Sequence, residues 1–148
     1  MDSNKLGGGN MQPEVNVVTR TCVVAILLGL GVKAIKSNAD SLKAWIISEK
    51  GWLWDGLDNN PLNCTQVEPG DSNKNSAGVK NYPSFLEGRA ATISTLIGKI
   101  NYYPTLVKAL QDANIELFFS SEGMKEIDKW GTSSTLVKQV YDIVKNLD

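Results

Sequence analysis

Apolar residues recur at helical spacing along most of this chain, and they predict a mainly helical domain built around one core. The third predicted helix keeps an unbroken i, i+4, i+7 stripe, so we expect it to be the central helix of the bundle. Its inward residues would be Leu86, Ala90, Ile93, Ile97 and Ile100. The predicted helical segments are Glu14–Leu30, Ala39–Glu49, 83–100, a helix beginning at Tyr103-Pro104, Glu122–Lys129 and a last helix that reaches Leu147.

The second predicted helix carries an acidic residue in line with its apolar face. Leu42, Trp45, Ile46 and Glu49 stand at i, i+3, i+4 and i+7, so their side chains share one side of the helix. A carboxylate at the C-terminal end is disfavoured by the helix dipole. Local rules of this kind are often broken at functional sites. The alternative is a frayed last turn that lets Glu49 swing into water.

A polar segment follows this helix, from Gly51 to Tyr82, and shows no helical period. A loop of this length inside a compact domain is usually functional or holds a small sheet. Leu62–Val67 and Ala77–Lys80 are predicted to pair as a hairpin. The predicted fold class is therefore mainly α with a small β element: a helical bundle around a central helix, with a polar loop and hairpin lobe inserted after the second helix.

Length and charge limit the classes of function. The 148 residues suit one domain, 14–148, preceded by a Gly- and Asn-rich N-terminal arm, 1–13, that we expect to be flexible. Fifteen basic against sixteen acidic residues leave no basic field for nucleic acid or anionic membrane. The most apolar run, Cys22–Val32, is too short to span a bilayer and has no cationic lead. We therefore expect no membrane insertion and no signal peptide.

The absence of histidine excludes several catalytic systems. Without it there is no Ser-His-Asp triad, no Cys-His nucleophile and no histidine zinc site. Cys22 and Cys64 are too few for a cysteine zinc site. We expect Cys22 to be a buried free thiol, and a Cys22–Cys64 disulfide stays open. No cofactor and no metal is indicated, so catalysis would depend on carboxylates.

The polar lobe has the composition of a sugar-binding surface. Trp52 and Trp54 offer ring faces for sugar CH groups, and the surrounding amides and hydroxyls can pair with sugar hydroxyls. Glycoside cleavage also needs a protonated carboxyl group, which partial burial favours. The structural alternative is that the tryptophans close over the helix end and the Asn and Asp residues only make turns. On that view the Asn60-Pro61 step is simply a turn.

A second carboxylate is harder to assign. A retaining glycosidase needs one about 5 Å from the acid, and an inverting enzyme needs one roughly 6.5–9.5 Å away. The spacing does not select among Asp55, Asp58, Glu68 and Asp71.

Several blocks, in order, resemble the lysozyme-like cell-wall-degrading domains of phage tail and lysin proteins. The blocks are Ala44-Trp45 with Glu49 and Gly51, then Asn60-Pro61-Leu62-Asn63-Cys64-Thr65-Gln66, then Gly78–Phe85, Gly88–Leu96 and Trp130–Ser133. The resemblance runs from about Val17 to the C-terminus. It implies a lysozyme-like α+β fold in which the catalytic Glu ends a helix just before a small β lobe. That position is Glu49 here.

The resemblance also implies a function and its surroundings. It implies a muramidase or lytic transglycosylase that cleaves the glycan strands of peptidoglycan. One Glu would be the catalytic carboxylate, and the substrate's N-acetyl group would assist it. Substrate contacts would come from Trp52, Asn60, Asn63, Thr65, Gln66 and Tyr82. The expected location is the virion, as a tail or capsid component that contacts other virion proteins and acts at the bacterial cell wall.

Two departures from the family pattern keep a second hypothesis open. Lys50 stands where relatives often have Gly, and a neighbouring cation favours the ionised form of Glu49 unless it points to solvent. Cys64 replaces the usual Thr. The alternative is a non-catalytic lysozyme-like virion protein that is structural or only binds glycan.

Overall fold

The computed structural model describes residues 13–98 and 101–147, and within these two ranges the chain is mainly helical with one small sheet. The mainly α prediction is confirmed. The helices are α1 (Val17–Leu30), α2 (Lys36–Lys50), α3 (Phe85–Ile97), α4 (Pro104–Gln111), α5 (Ile115–Phe118), α6 (Ser121–Trp130) and α7 (Ser134–Val144). Helix bounds lie close to the predicted ones because serine N-caps and αL glycines mark them. Ser84, Ser120 and Ser133 cap α3, α6 and α7, and Gly31 and Gly131 end α1 and α6.

The central helix is α2, which packs against α1, α5 and α7. Its predicted apolar face is confirmed, because Leu42, Trp45 and Ile46 are fully buried. Trp45 meets Phe118 of α5 edge to face at 6.4 Å between ring centroids. The core is therefore assembled around the helix whose last turn carries Glu49.

The prediction that α3 is central, with a stripe of large side chains turned inward, is wrong. Leu86 is 68% exposed and Ile97 is 50% exposed. The face of α3 that is buried carries mostly small side chains, namely Gly88, Ala91, Thr92 and Leu96. Small residues let the backbone of α3 approach the lobe closely, and Leu86 and Ile97 consequently face outward. Ile100, the last residue of the predicted stripe, lies outside the described residues.

The lobe after α2 holds a smaller sheet than predicted. Strand β1 (Ser72–Asn73) pairs antiparallel with β2 (Lys80–Asn81), and Ser72 lies opposite Asn81. The predicted strand Leu62–Val67 is not formed, although the Lys80 amide donates to the Cys64 carbonyl at 3.1 Å. The side chain of Asn60 accepts from the Cys64 amide and donates to the Cys64 carbonyl. A side chain thus satisfies backbone groups that a strand would otherwise pair.

Both cysteines are buried free thiols in this structure, as predicted for Cys22. Burial raises the pKa of Cys22 to about 12 and that of Cys64 to about 11. Both groups are therefore protonated at neutral pH. In the part of the chain that the structure describes, none of the helices combines the length and the apolar character needed to cross a bilayer.

A carboxylate from α6 caps the N-terminus of α4. Glu126 is buried, and its two oxygens accept from the backbone amides of Thr105 and Leu106 at 3.0 Å each. These amides have no partner within α4, since they belong to its first turn. Glu126→Ala should therefore lower the free energy of unfolding by about 1.5–3 kcal/mol, the range for hydrogen bonds to a charged group.

Denaturant unfolding checks this prediction, and Glu122→Ala is the matched control. Glu122 lies on the same helix with an exposed side chain, so its removal should change the unfolding free energy by less than about 0.5 kcal/mol. Equal effects of the two substitutions would contradict the capping role of Glu126.

Candidate active site

Glu49 lies in the last turn of α2, where the polar lobe packs against the helix end. Helix α2 continues through Lys50, so the last turn is not frayed. Gly51 then leaves the helix with a φ of 87°, a backbone conformation that glycine adopts without strain. The side chain of Asn63, in the lobe, donates to the backbone carbonyl of Glu49 at 3.2 Å. The lobe is therefore tied directly to the residue that the sequence singled out.

Both oxygens of the Glu49 carboxylate accept hydrogen bonds from distant parts of the chain. Asn63 Nδ2 donates to Oε1 at 2.7 Å, and the hydroxyl of Thr132 donates to Oε2. Asn63 itself has a positive φ of 55°, which Asn tolerates better than most residues. The half-buried carboxylate is thus held between the lobe and the junction of α6 and α7.

Three aromatic side chains brace this junction. Trp45 Nε1 donates to Thr132 Oγ1 at 2.9 Å, and Trp130 Nε1 donates to the Leu62 carbonyl at 2.7 Å. Trp130 packs against Trp45 and against Tyr103, with 5.2 Å between ring centroids in each pair. The aromatic cluster therefore connects α2, the lobe and the α6–α7 junction, the elements that surround Glu49.

A buried ion cluster lies on the other side of Asn63. Lys50 Nζ donates to Asp58 Oδ2 at 2.5 Å and to Asn63 Oδ1 at 2.6 Å, and Lys74 Nζ donates to the same Asp58 oxygen at 2.6 Å. The side chains of Lys50 and Asp58 are only 4% and 6% exposed. Lys50 therefore points neither to solvent nor to the Glu49 carboxylate. It binds the Asp58 carboxylate and the Asn63 side-chain oxygen, and its ammonium lies 5.5 Å from the centroid of the Trp54 ring.

The ion cluster changes the titration of its members. Burial alone would raise the pKa of Asp58, but hydrogen bonds from Lys50 and Lys74 outweigh it, so the pKa lies below its usual value of 3.8. Burial also lowers the pKa of Lys50, against the opposing attraction of Asp58. The hydrogen bond to Asp58 raises the pKa of the more exposed Lys74.

The lowered pKa of Asp58 predicts an acid-sensitive contribution to stability. A carboxyl whose pKa is depressed by folding stabilises the native state above its unfolded pKa, and that stabilisation is lost as pH falls through the folded pKa. We expect Asp58→Asn to have a lower free energy of unfolding than wild type at pH 7. The difference between the two proteins should shrink below about pH 4.

Thermal unfolding of both proteins between pH 2 and pH 7 measures this deficit, and Asp55→Asn, at an exposed lobe carboxylate, serves as the control. A deficit that stays constant across that range would contradict the ionic role of Asp58.

The structure corrects the expected cleft-lining roles of Asn60 and Tyr82. Asn60 is fully buried, and its amide donates to the carbonyls of Cys64 and Lys80 at 2.9 and 2.8 Å. Tyr82 is also buried, and its hydroxyl donates to the Gln66 carbonyl at 2.6 Å. Burial raises the pKa of Tyr82, so it stays neutral. Both side chains fix the shape of the lobe instead of facing a ligand.

The other predicted contact residues lie at different depths in the lobe. Asn63 contacts Glu49 directly, Thr65 is exposed, and Trp52 is half-buried against the core. Gln66 is half-buried, and its amide donates to Glu68 Oε2 at 2.9 Å. Thr65 and Gln66 therefore remain accessible to a ligand in a way that Asn60 and Tyr82 are not.

The candidate second carboxylates are engaged in the lobe itself. Asp58 is neutralised by two lysines, which corrects its candidacy as a free catalytic partner. Asp55 is exposed and accepts from the Leu57 amide at 3.0 Å. Asp71 accepts from the Glu68 amide at 2.7 Å and lies 3.9 Å from Lys80 Nζ. These contacts are typical of turn-forming carboxylates.

A separate apolar cavity lies between α1, the lobe and the start of α3. It is open to the surface, has a volume of about 380 Å³, and its wall includes Cys22, Trp54 and Phe85. Glu49 is not part of that wall, so the cavity and the carboxylate are distinct features of the molecule.

Sequence reasoning missed Thr132 as a partner of Glu49 and read Lys50 only as an unfavourable neighbour. Thr132 is 83 residues away from Glu49 along the chain, and no local pattern links them. The Trp130-Gly131-Thr132 break was the one available signal. The site that results is a single carboxyl group, held on both oxygens, at the junction of the core and a polar lobe.

Such a carboxyl group suits single-proton transfer beside a bound polar substrate. Comparison with known protein families, with curated proteins and with solved structures gives no match to this chain.

Proposed function

We propose that the protein cleaves the glycan strands of peptidoglycan, as a muramidase or a lytic transglycosylase of the lysozyme-like class. The observation that carries the proposal is the position of Glu49. It lies in the last turn of the central helix, abuts the polar lobe, and is held by one donor from the lobe and one from the α6–α7 junction. A glycosidase acid needs a fixed carboxyl group of this kind beside a sugar-binding surface.

The proposed reaction uses Glu49 first as an acid and then as a base. The Glu49 carboxyl gives its proton to the glycosidic oxygen, and the bond between that oxygen and the anomeric carbon breaks. The carboxylate then takes a proton from the attacking group while that group bonds to the anomeric carbon. Water as the attacking group gives hydrolysis, and a hydroxyl of the same sugar gives an anhydro product.

Glu49 is the carboxylate on which the proposal depends. Asp58 is bound by Lys50 and Lys74, so it has no free role opposite Glu49. We propose that the substrate's own N-acetyl group stabilises the developing positive charge, as the resemblance to one-glutamate relatives implies. Thr65, Gln66 and Trp52 are the lobe residues that we propose to contact sugar, and the proposed setting is a virion acting at the cell wall.

A cell-wall zymogram combined with wall sedimentation tests the proposal. The wild-type protein should clear embedded walls of at least one Gram-positive species. A protein that sediments with walls but clears none of a panel would support the alternative, a glycan-binding virion protein. A protein that neither clears nor sediments would contradict both functions.

A further inference from the structure

The hydrogen bonds that reach Glu49 through Thr132 have a direction that is fixed by chemistry. Trp45 Nε1 is a donor that cannot accept, so the 2.9 Å contact makes Thr132 Oγ1 the acceptor. The Thr132 hydroxyl has a single hydrogen, and the Glu49 Oε2 atom is its hydrogen-bond partner on the other side. While Oε2 carries no proton, the chain of donors therefore runs in one direction, from the indole to the hydroxyl to the carboxylate.

The partners in this chain are buried and rigidly mounted. Trp45 is fully buried in the core and Thr132 is 6% exposed. The αL conformation of Gly131 turns the chain at the end of α6, and the Thr132 amide bonds back to the Ile127 carbonyl at 3.3 Å. Trp130, one residue earlier, packs edge to face on Trp45 at 5.2 Å. The hydroxyl thus approaches Glu49 from a backbone that has little freedom to move.

The second oxygen of Glu49 is held in the same manner from the lobe. Lys50 Nζ is also a pure donor, so the Asn63 oxygen faces Lys50 and the Asn63 NH₂ group faces Glu49. The hydrogen bond from Asn63 therefore restrains the carboxylate at Oε1. At Oε2 the restraint is the hydrogen bond from Thr132.

We propose that Thr132 is a positioning residue for Glu49, and that Trp45 sets the direction in which its hydroxyl donates. This inference rests on the proposed function, in which Glu49 exchanges a proton with the substrate. Thr132 acts on the reaction only through its hydrogen bond to Glu49. It keeps the carboxylate in the orientation required for proton transfer, and a small displacement of such a group is costly to catalysis.

The test compares Thr132→Val, which keeps the shape and removes the hydroxyl, with Thr132→Ser, which keeps the hydroxyl. On solubilised glycan strands, Thr132→Val should lower kcat about tenfold and leave KM within about twofold. Thr132→Ser should restore most of the lost kcat. A valine variant as active as wild type, or a loss that serine does not restore, would overturn the proposal.

A double-mutant cycle with Trp45→Phe separates positioning from general damage to the fold. Trp45→Phe removes the donor that orients the hydroxyl, so it should lower kcat when Thr132 is present and have little further effect in Thr132→Val. The double variant leaves no indole N–H without an acceptor, so its comparison with Trp45→Phe gives the effect of removing the hydroxyl without that unpaired donor. If the losses in kcat caused by the two substitutions are additive, the proposed coupling of Trp45 to Glu49 through Thr132 is overturned.

The indole N–H resonance of Trp45 gives a readout that does not need activity. It should shift in Glu49→Gln and in Thr132→Val, and should be unchanged in Glu116→Gln, a substitution at an exposed site on α5. If the wild-type protein cleaves no glycan, the proposed function is rejected, but this resonance still reports on the hydrogen bonds from Trp45 through Thr132 to Glu49. An unchanged resonance in Glu49→Gln would reject the hydrogen-bond chain from Trp45 through Thr132 to Glu49, even if the wild-type protein is fully active.

Discussion

Glu49→Gln should abolish glycan cleavage, with a loss of at least about a hundredfold in rate and an unchanged fold. Glutamine preserves the size of the side chain and can still accept from Asn63, so the contacts that hold the lobe to α2 should survive. It cannot release a proton to the leaving oxygen. General acid–base catalysis by one group contributes about 10²–10⁴ in rate, which sets the expected loss.

Release of soluble sugar from purified walls measures this rate, and Glu116→Gln is the control. Glu116 is an exposed glutamate on α5, so its substitution should leave the rate unchanged. A Glu49→Gln variant that retains more than about a tenth of wild-type activity would contradict the catalytic role of Glu49, given the size of effect expected from general acid–base catalysis.

Gly88→Ala should be the most destabilising single-methyl change among the sites we have described. A Cβ at this position would lie 1.6 Å from the backbone oxygen of Asn59, so either α3 or the lobe must move. A backbone atom cannot rotate away as a side chain can. We expect the free energy of unfolding to fall by about 3 kcal/mol, which corresponds to about 10 °C in Tm for a domain of this size.

Gly29→Ala is the matched control for this substitution. It also adds a methyl group to a helix, but its nearest neighbour is the terminal Cδ1 of Ile93 at 2.1 Å, which belongs to a flexible side chain. Thermal unfolding should show a much smaller change for Gly29→Ala than for Gly88→Ala. Similar Tm values for the two variants would contradict the close backbone contact between α3 and the lobe.

The sequence predicted those parts of the fold that depend on local pattern. The apolar face of α2 follows from the 3.6-residue period, and its large residues make that period easy to detect. The buried face of α3 could not be found in the same way. Gly88, Ala91 and Thr92 are small, so hydropathy gives them little weight, and their burial depends on how closely the lobe approaches.

The sequence points to Glu49 as a candidate site residue, but it does not identify the side chains that surround Glu49. An acidic residue on an apolar face is a visible local conflict, whereas Thr132 joins the site only through tertiary folding. Asn60 and Asn63 lie three residues apart and look alike in sequence. In the structure Asn60 binds backbone groups inside the lobe, whereas Asn63 binds the Glu49 carboxylate. Side-chain direction in an irregular loop is set by such contacts, which no periodicity encodes.

The central claim is that this protein breaks glycosidic bonds in peptidoglycan, and mass analysis of its products tests that claim most directly. Purified peptidoglycan treated with wild-type protein should release fragments with new reducing sugar ends, for a muramidase, or new anhydro sugar ends, for a lytic transglycosylase. The same digest with Glu49→Gln should release neither. Glycan strands that stay intact under wild-type protein, or fragments cut only within the peptides, would contradict the account.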